Sequence, residues 1–243
     1  MLIRGPQDHT GDPTTFPPNT DLIVGPKFKS NFVPGYPTVP DCPVSEKAWE
    51  GRNLVEINFD SGLKIGNYQA HDVHGDGSFY LLATPGHTTE HLSALARTKS
   101  DPPEFMFLGG DIAHHGGEFR PTEYLPLPKE ISPNPLKPPF SAPASFCPGH
   151  IFEKLHPRGS STKPFYTLQK QGIHVDYAEA QRSVDELTAW DGHENIFVVI
   201  AHDASLHDVI EFFPNPANDW KQKGWKKEGR WRFLADFKTE AQA

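Results

Sequence analysis

The fold class this sequence predicts is a layered α/β (α+β) domain, and three observations predict it. Short apolar runs of strand length recur between residues 21 and 108. Two stretches after residue 176 carry helical spacing, and the near-continuous apolar run Asn195-Ile-Phe-Val-Val-Ile-Ala201 stands between them as a buried strand. With 25 prolines and 20 glycines among 243 residues, much of the remainder must be loop. Strands with polar residues at their ends, combined with at least two helices, call for stacked layers around a common core. The length allows one large domain or two small ones.

Taken in order, residues 10–45 are dense in proline and glycine, and Asp21-Leu-Ile-Val-Gly25 is their one strand signal. Leu54–Phe59, Gly62–Gly66 and the alternating Tyr68–Val73 follow as strands. Gly75-Asp-Gly77 is a tight turn leading into Ser78–Ala83, so this region predicts a β-meander. Leu92–Ala96 and Glu104–Leu108 form a further pair. Residues 121–165 are again proline-rich, a long loop of the kind that walls a site. Tyr177–Trp190 predicts a helix with Ala178, Val184, Leu187 and Trp190 on one face. Asn218–Phe237 predicts a second helix, docking Trp220, Trp225 and Trp231 on the core.

The formal net charge is −8 and nothing forms a basic stripe, which argues against nucleic acid as a partner. The runs KQKGWKK and KEGRWR read as a solvated helix face. Cys42 and Cys147 lie far apart without C-x-x-C spacing, which predicts free thiols in a reducing compartment. No apolar run has the length of a membrane span and the first residues lack a signal-peptide core, so a soluble, cytoplasmic protein with a small-molecule substrate is expected. The sequence carries no expectation for the oligomeric state.

Metal-competent side chains stand where three strands run out: Thr84-Pro-Gly-His87, Leu108-Gly-Gly-Asp111 and Ala201-His202-Asp203. Strand ends are rigid enough to hold a catalytic group in place. Taken singly, each has an ordinary explanation as a capping histidine or an Asx-turn. Three in one chain, beside the adjacent Asp8 and His9, favour a shared metal site. Nitrogen and oxygen donors without thiolate suit zinc, with manganese or iron as alternatives.

The ordered set TPGHT, FLGGD and IAHD resembles the later metal motifs of the metallo-β-lactamase superfamily. SFYLLATPGHTTEHLSALART and MFLGGDIAHHGGEFRPTEYLPLP are similar to a fungal lactonase- or lactamase-like branch of it. The resemblance implies a single αββα sandwich domain over residues 1–243, with a dinuclear metal site along one edge. It implies His87 in the first metal seat, Asp111 as the bridge, and Asp8, His9 and His202 in the second. Asp8 and His9 match the last two positions of the family's leading His-x-His-x-Asp-His motif, but Arg4 and Pro6 stand where its two histidines belong. The N-terminal half of the sandwich is therefore expected to lack its first strands. One zinc is expected to bind tightly, while the first seat, with His87 and Asp111 alone, is too poor in ligands to make a second secure.

The implied activity is hydrolysis of a lactone, ester, thioester or lactam by metal-activated hydroxide, with Asp8 and Asp111 as the catalytic carboxylates. Substrate contacts are expected from His115, Arg120 and Tyr124, which follow the bridging aspartate. The competing assignment pairs Arg120 with Glu118 and packs Tyr124 under the proline loop. His91 is expected to support the site without ligating, and His150, His156, His174, His193 and His207 to be ordinary surface or loop residues. The alternative function is a catalytically impaired or dead homologue, acting as a binding protein or as a non-functional gene product.

Overall fold

The computed structural model describes residues 11–136 and 146–241, apart from the side chain of Glu240. Arg4, Pro6, Asp8 and His9 lie outside the described residues. In chain order the elements begin with β1 (Leu22–Val24), α1 (Phe28–Phe32) and β2 (Leu54–Glu56). The meander follows as β3 (Lys64–Ile65), β4 (Tyr68–Asp72), β5 (Phe79–Ala83), β6 (Leu92–Ser100) and β7 (Pro103–Leu108). The proline-rich stretch contributes β8 (Glu130–Ile131), β9 (Cys147–Pro148) and α2 (Gly149–Leu155). After it come α3 (Tyr177–Gly192), β10 (Ile196–Val199), α4 (Trp225–Gly229) and α5 (Lys238–Ala241).

The main sheet has six strands in the order β10-β7-β6-β5-β4-β3. It is antiparallel except for β10, which pairs in parallel with β7, Val198 opposite Phe107. Period-two alternation divides its side chains between two faces. One face presents Tyr68, Ala70, Leu82, Leu95, Phe107 and Val198 to Ala180, Val184, Leu187 and Trp190 of α3. Burying each of these large aliphatic side chains stabilises the fold by about 2 kcal/mol. Tyr68, Phe107 and Trp190 form an aromatic triangle with centroids 5.3–6.0 Å apart. The Tyr68 hydroxyl donates to the carbonyl of Ser183 at 2.6 Å, tying α3 to β4. Within α3, Ala180 takes the buried position expected of Ala178, which is exposed.

The opposite face carries Leu81, Leu92 and Ala94, which pack with Ile57 and Ile23 of the β1–β2 segment. Those two strands pair in parallel as a second, two-stranded sheet. Leu22 and Val24 point away from the main sheet, onto Phe28 and Phe32 of α1. The layers are therefore α3, main sheet, β1–β2 pair and α1, the order of an αββα sandwich. Among the described residues the second sheet has two strands.

The C-terminal segment does not form the single helix expected over Asn218–Phe237. Gly224 adopts φ +73°, a left-handed conformation that a continuous helix cannot contain, and the chain breaks into turns, α4 and a 3₁₀ stretch at Arg232–Phe237. The tryptophans still dock inward. Trp220 stacks on Phe197 with centroids 5.5 Å apart, Trp225 joins it, and Trp231 packs with Phe152 and Phe165 under the proline-rich wall. Lys226, expected in a solvated run, is buried and donates to the carbonyls of Asp191 and His193 at 2.8 and 2.7 Å. No helix among the described residues is long and apolar enough to cross a membrane.

Candidate metal centre

β5, β7 and β10 run in the same direction, so the segments leaving their C-terminal ends meet at one edge of the main sheet. His87 follows β5, Asp111 follows β7, and His202 follows β10. The turn at His87 is stapled to the start of α3. Val175 N–H donates to the His87 carbonyl at 3.1 Å, Asp176 N–H to Gly86 O at 2.9 Å, and the Ser183 hydroxyl to Pro85 O at 2.9 Å. Gly86 sits at φ +127° with the backbone of Ala180 directly against it, a place with no room for a side chain. The loops after β7 and β10 are joined by Gly109 N–H to Val199 O at 2.7 Å and Ala201 N–H to Gly110 O at 3.0 Å.

Asp111 is the hub and is buried. Its Oδ2 lies 3.6 Å from His87 Nε2, and its Oδ1 lies 3.2 Å from His202 Nε2 and 3.8 Å from His114 Nε2. One donor atom from each of His87, Asp111 and His114 falls within 4.8 Å of the others, a spacing that could hold a metal ion. His114 stacks on His202 with ring centroids 5.2 Å apart. Burial, reinforced by the neighbouring His87, pushes the His114 pKa down to about 4, so its ring is neutral at physiological pH and able to ligate. Three imidazole nitrogen donors around one carboxylate suit zinc chemistry, so the residues present fit the ion.

His91 supports this hub through the backbone of Asp111. Its Nε2 accepts the backbone N–H of Asp111 at 3.0 Å, which leaves the ring proton on Nδ1, 2.9 Å from the Thr84 carbonyl. Burial holds its pKa down to about 4, the neutral form this bonding pattern requires.

The substrate-contact candidates separate. His115 lines a cleft of about 680 Å³ beside His202, together with Leu136, Asp203, Phe233 and Asp236. His115 Nδ1 accepts Gly117 N–H, so its Nε2 proton is directed to Asp236 at 2.9 Å. Arg120 is not at the cleft. Its Nε and Nη2 each donate to Asp191 at 2.7 Å, and Nη1 donates to the Arg230 carbonyl, so the guanidinium is buried and fully engaged. Glu118, the partner expected for Arg120, instead accepts the backbone N–H groups of His114 and His115. Tyr124 is 56% exposed and sits against Gly192 at the far end of α3, away from the cleft.

Two histidines escaped the expectation of ordinary loop positions. His174 lies with its ring 5.5 Å from that of His87. His156 is buried, with Nε2 2.8 Å from Lys163 O. His114 had no assigned role; its place three residues after Asp111, just past the 3₁₀ turn Gly110–Ile112, is the signal that could have found it.

No family model matches the chain. It is 52% identical over 233 residues to a protein named Gamma-lactamase FDB1 from Fusarium pseudograminearum, a match covering 95% of this chain and 55% of that one. It is 58% identical over 183 residues to Gamma-lactamase MBL2 from Gibberella moniliformis, covering 74% and 75% respectively. The metallo-hydrolase mfmC from Annulohypoxylon moriforme is 44% identical over 230 residues, 95% of this chain and 59% of that protein. The chain thus spans between about half and three quarters of the length of these relatives. High identity along nearly its whole length, an αββα layer order and a histidine–aspartate cluster at the sheet edge coincide: the chain belongs to the metallo-β-lactamase superfamily.

Proposed function

We propose that this chain is a zinc-dependent hydrolase of a small lactam, lactone, ester or thioester. The observation that carries the reading is the convergence of His87, His114 and His202 on the buried carboxylate of Asp111. The names of two relatives, both gamma-lactamases, favour a γ-lactam first. His87, Asp111 and His114 would hold the ion, with His202 beside His114 at the Oδ1 oxygen. Asp8 and His9 are proposed as further ligands on the His202 side, and Asp8 with Asp111 as the catalytic carboxylates. A bound zinc would supply Lewis acidity, polarising the substrate carbonyl and making water a stronger acid.

The chain's own residues would do the rest. His91 keeps the Asp111 backbone in place, and Glu118 fixes the main chain of His114 and His115. Leu136 and Phe233 give the cleft an apolar lining for the body of the substrate, and the His115–Asp236 pair gives it a polar wall. The free thiols of Cys42 and Cys147 are compatible with a cytoplasmic setting.

The test combines zinc content with hydrolysis of a γ-lactam, a γ-lactone and a thioester, by the chain and by Asp111→Asn. One tightly held zinc and turnover of at least one substrate are expected, with the variant losing both. Equal turnover by the two proteins would remove Asp111 from the mechanism. Arg4 and Pro6 favour a second reading, a homologue that binds such a substrate without opening it. Saturable binding of the γ-lactam with no product would support that reading instead.

A further inference from the structure

A fourth histidine beside the metal centre, His174, has no other task. His174 precedes α3, and the backbone bonds from Val175 to His87 and from Asp176 to Gly86 fix it beside the His87 turn. Both of its ring nitrogens are shielded from solvent and neither has a hydrogen-bond partner. The Nδ1 of His114 is in the same condition. Ring nitrogens shielded from water with no partner are costly unless something else engages them.

The three rings form a closed triangle. Centroid separations are 5.1 Å for His87–His114, 5.5 Å for His87–His174 and 5.8 Å for His114–His174. With metal–nitrogen bonds of about 2.1 Å and tetrahedral angles, imidazoles sharing one zinc have centroids about 5.3 Å apart. The observed ring separations lie near that value; donor atoms of His87, Asp111 and His114 already fall within 4.8 Å of one another, and His174 would turn its ring to bring a nitrogen to the same point. Asp111 Oδ2, 3.6 Å from His87 Nε2, is positioned to complete four donors.

We propose that His174 is a metal ligand, and that His87, His114, His174 and Asp111 form a three-nitrogen, one-oxygen zinc seat. This rests on the metal-dependent reading above and deepens it. Arg4 and Pro6 stand where the family motif would supply two histidines, and His114 and His174 give this seat two imidazoles from elsewhere in the chain. A seat with two ligands becomes a seat with four.

The test is zinc affinity of the metal-free full chain, read by competition with a chromophoric chelator, and the visible spectrum after loading with cobalt(II). His174→Ala and His174→Gln should each weaken zinc by about 100-fold and lower the intensity of the cobalt bands, and His114→Ala should do the same. His150→Ala, on the exposed side of α2, should change neither. Thermal unfolding of the metal-free variants controls for folding, since His174 lies in a partly exposed loop. Wild-type affinity and an unchanged cobalt spectrum in both His174 variants would overturn the proposal while leaving the metal-dependent reading intact. Absence of zinc binding by the wild-type chain would overturn both.

Discussion

His91 shows how much of this centre depends on a residue outside the donor set. Its Nε2 is the acceptor for the buried N–H of Asp111, and its Nδ1 is anchored on Thr84. Replacing it by phenylalanine keeps the volume but strands that N–H, which costs about 1–3 kcal/mol. His91→Phe should lose that much stability in urea unfolding, and its zinc affinity should fall by about 10–100-fold, as for other residues that orient a ligand. Unchanged affinity would mean that Asp111 is held by its neighbours without His91. At this scale legibility followed local context. His87, Asp111 and His202 each close an apolar strand run, so the strand pattern pointed at them. His174 follows no such run and reaches the site through backbone pairing with Gly86 and His87, which no local window can reveal. Arg120 misled for a related reason: its partner, Asp191, is at the end of α3 and far along the chain.

The elements that carry the site depend on close backbone approach as much as on side chains. The turn after β5 can dock on α3 only because residue 86 is glycine, where an added Cβ would stand 2.0 Å from Ala180 N. Gly86→Ala should therefore cost about 3 kcal/mol, combining left-handed strain with overpacking. Because the same turn carries His87, zinc affinity should fall with stability. Gly159→Ala is the matched comparison: φ is +55° there but nothing lies within 4 Å, so about 1 kcal/mol is expected. Equal losses from the two, measured by chemical denaturation, would show that conformation alone matters at Gly86. The strands of the meander were legible because alternation reports a two-faced sheet. The helix expected after Asn218 was not, since its aromatic spacing satisfies several turns packing on the core as well as one helix, and Gly224 decides between them.

At the scale of the whole molecule, the C-terminal segment is locked to the sandwich by buried charge. Arg120, from the loop after the metal centre, meets Asp191 at the end of α3, and Lys226 from α4 caps the carbonyls of Asp191 and His193. The charge-rich stretch around Lys226 resembled a solvated face because sequence shows the charge but not the carbonyls that wait for it. Burial alone would raise the Asp191 pKa, yet Arg120 outweighs burial and holds the carboxyl below its usual value of 3.8. A carboxylate depressed in the folded state contributes stability that is fully present above its unfolded pKa and is lost as pH falls below it. Asp191→Asn leaves Arg120 buried without a countercharge, a loss of about 3–5 kcal/mol at neutral pH. The gap between wild type and variant in urea unfolding should hold steady between about pH 5 and pH 7 and narrow below about pH 4, where Asp191 of the unfolded chain takes up a proton before that of the folded chain does. A gap that stays constant down to about pH 3 would mean that Asp191 acts through its hydrogen-bonding shape and not through its charge.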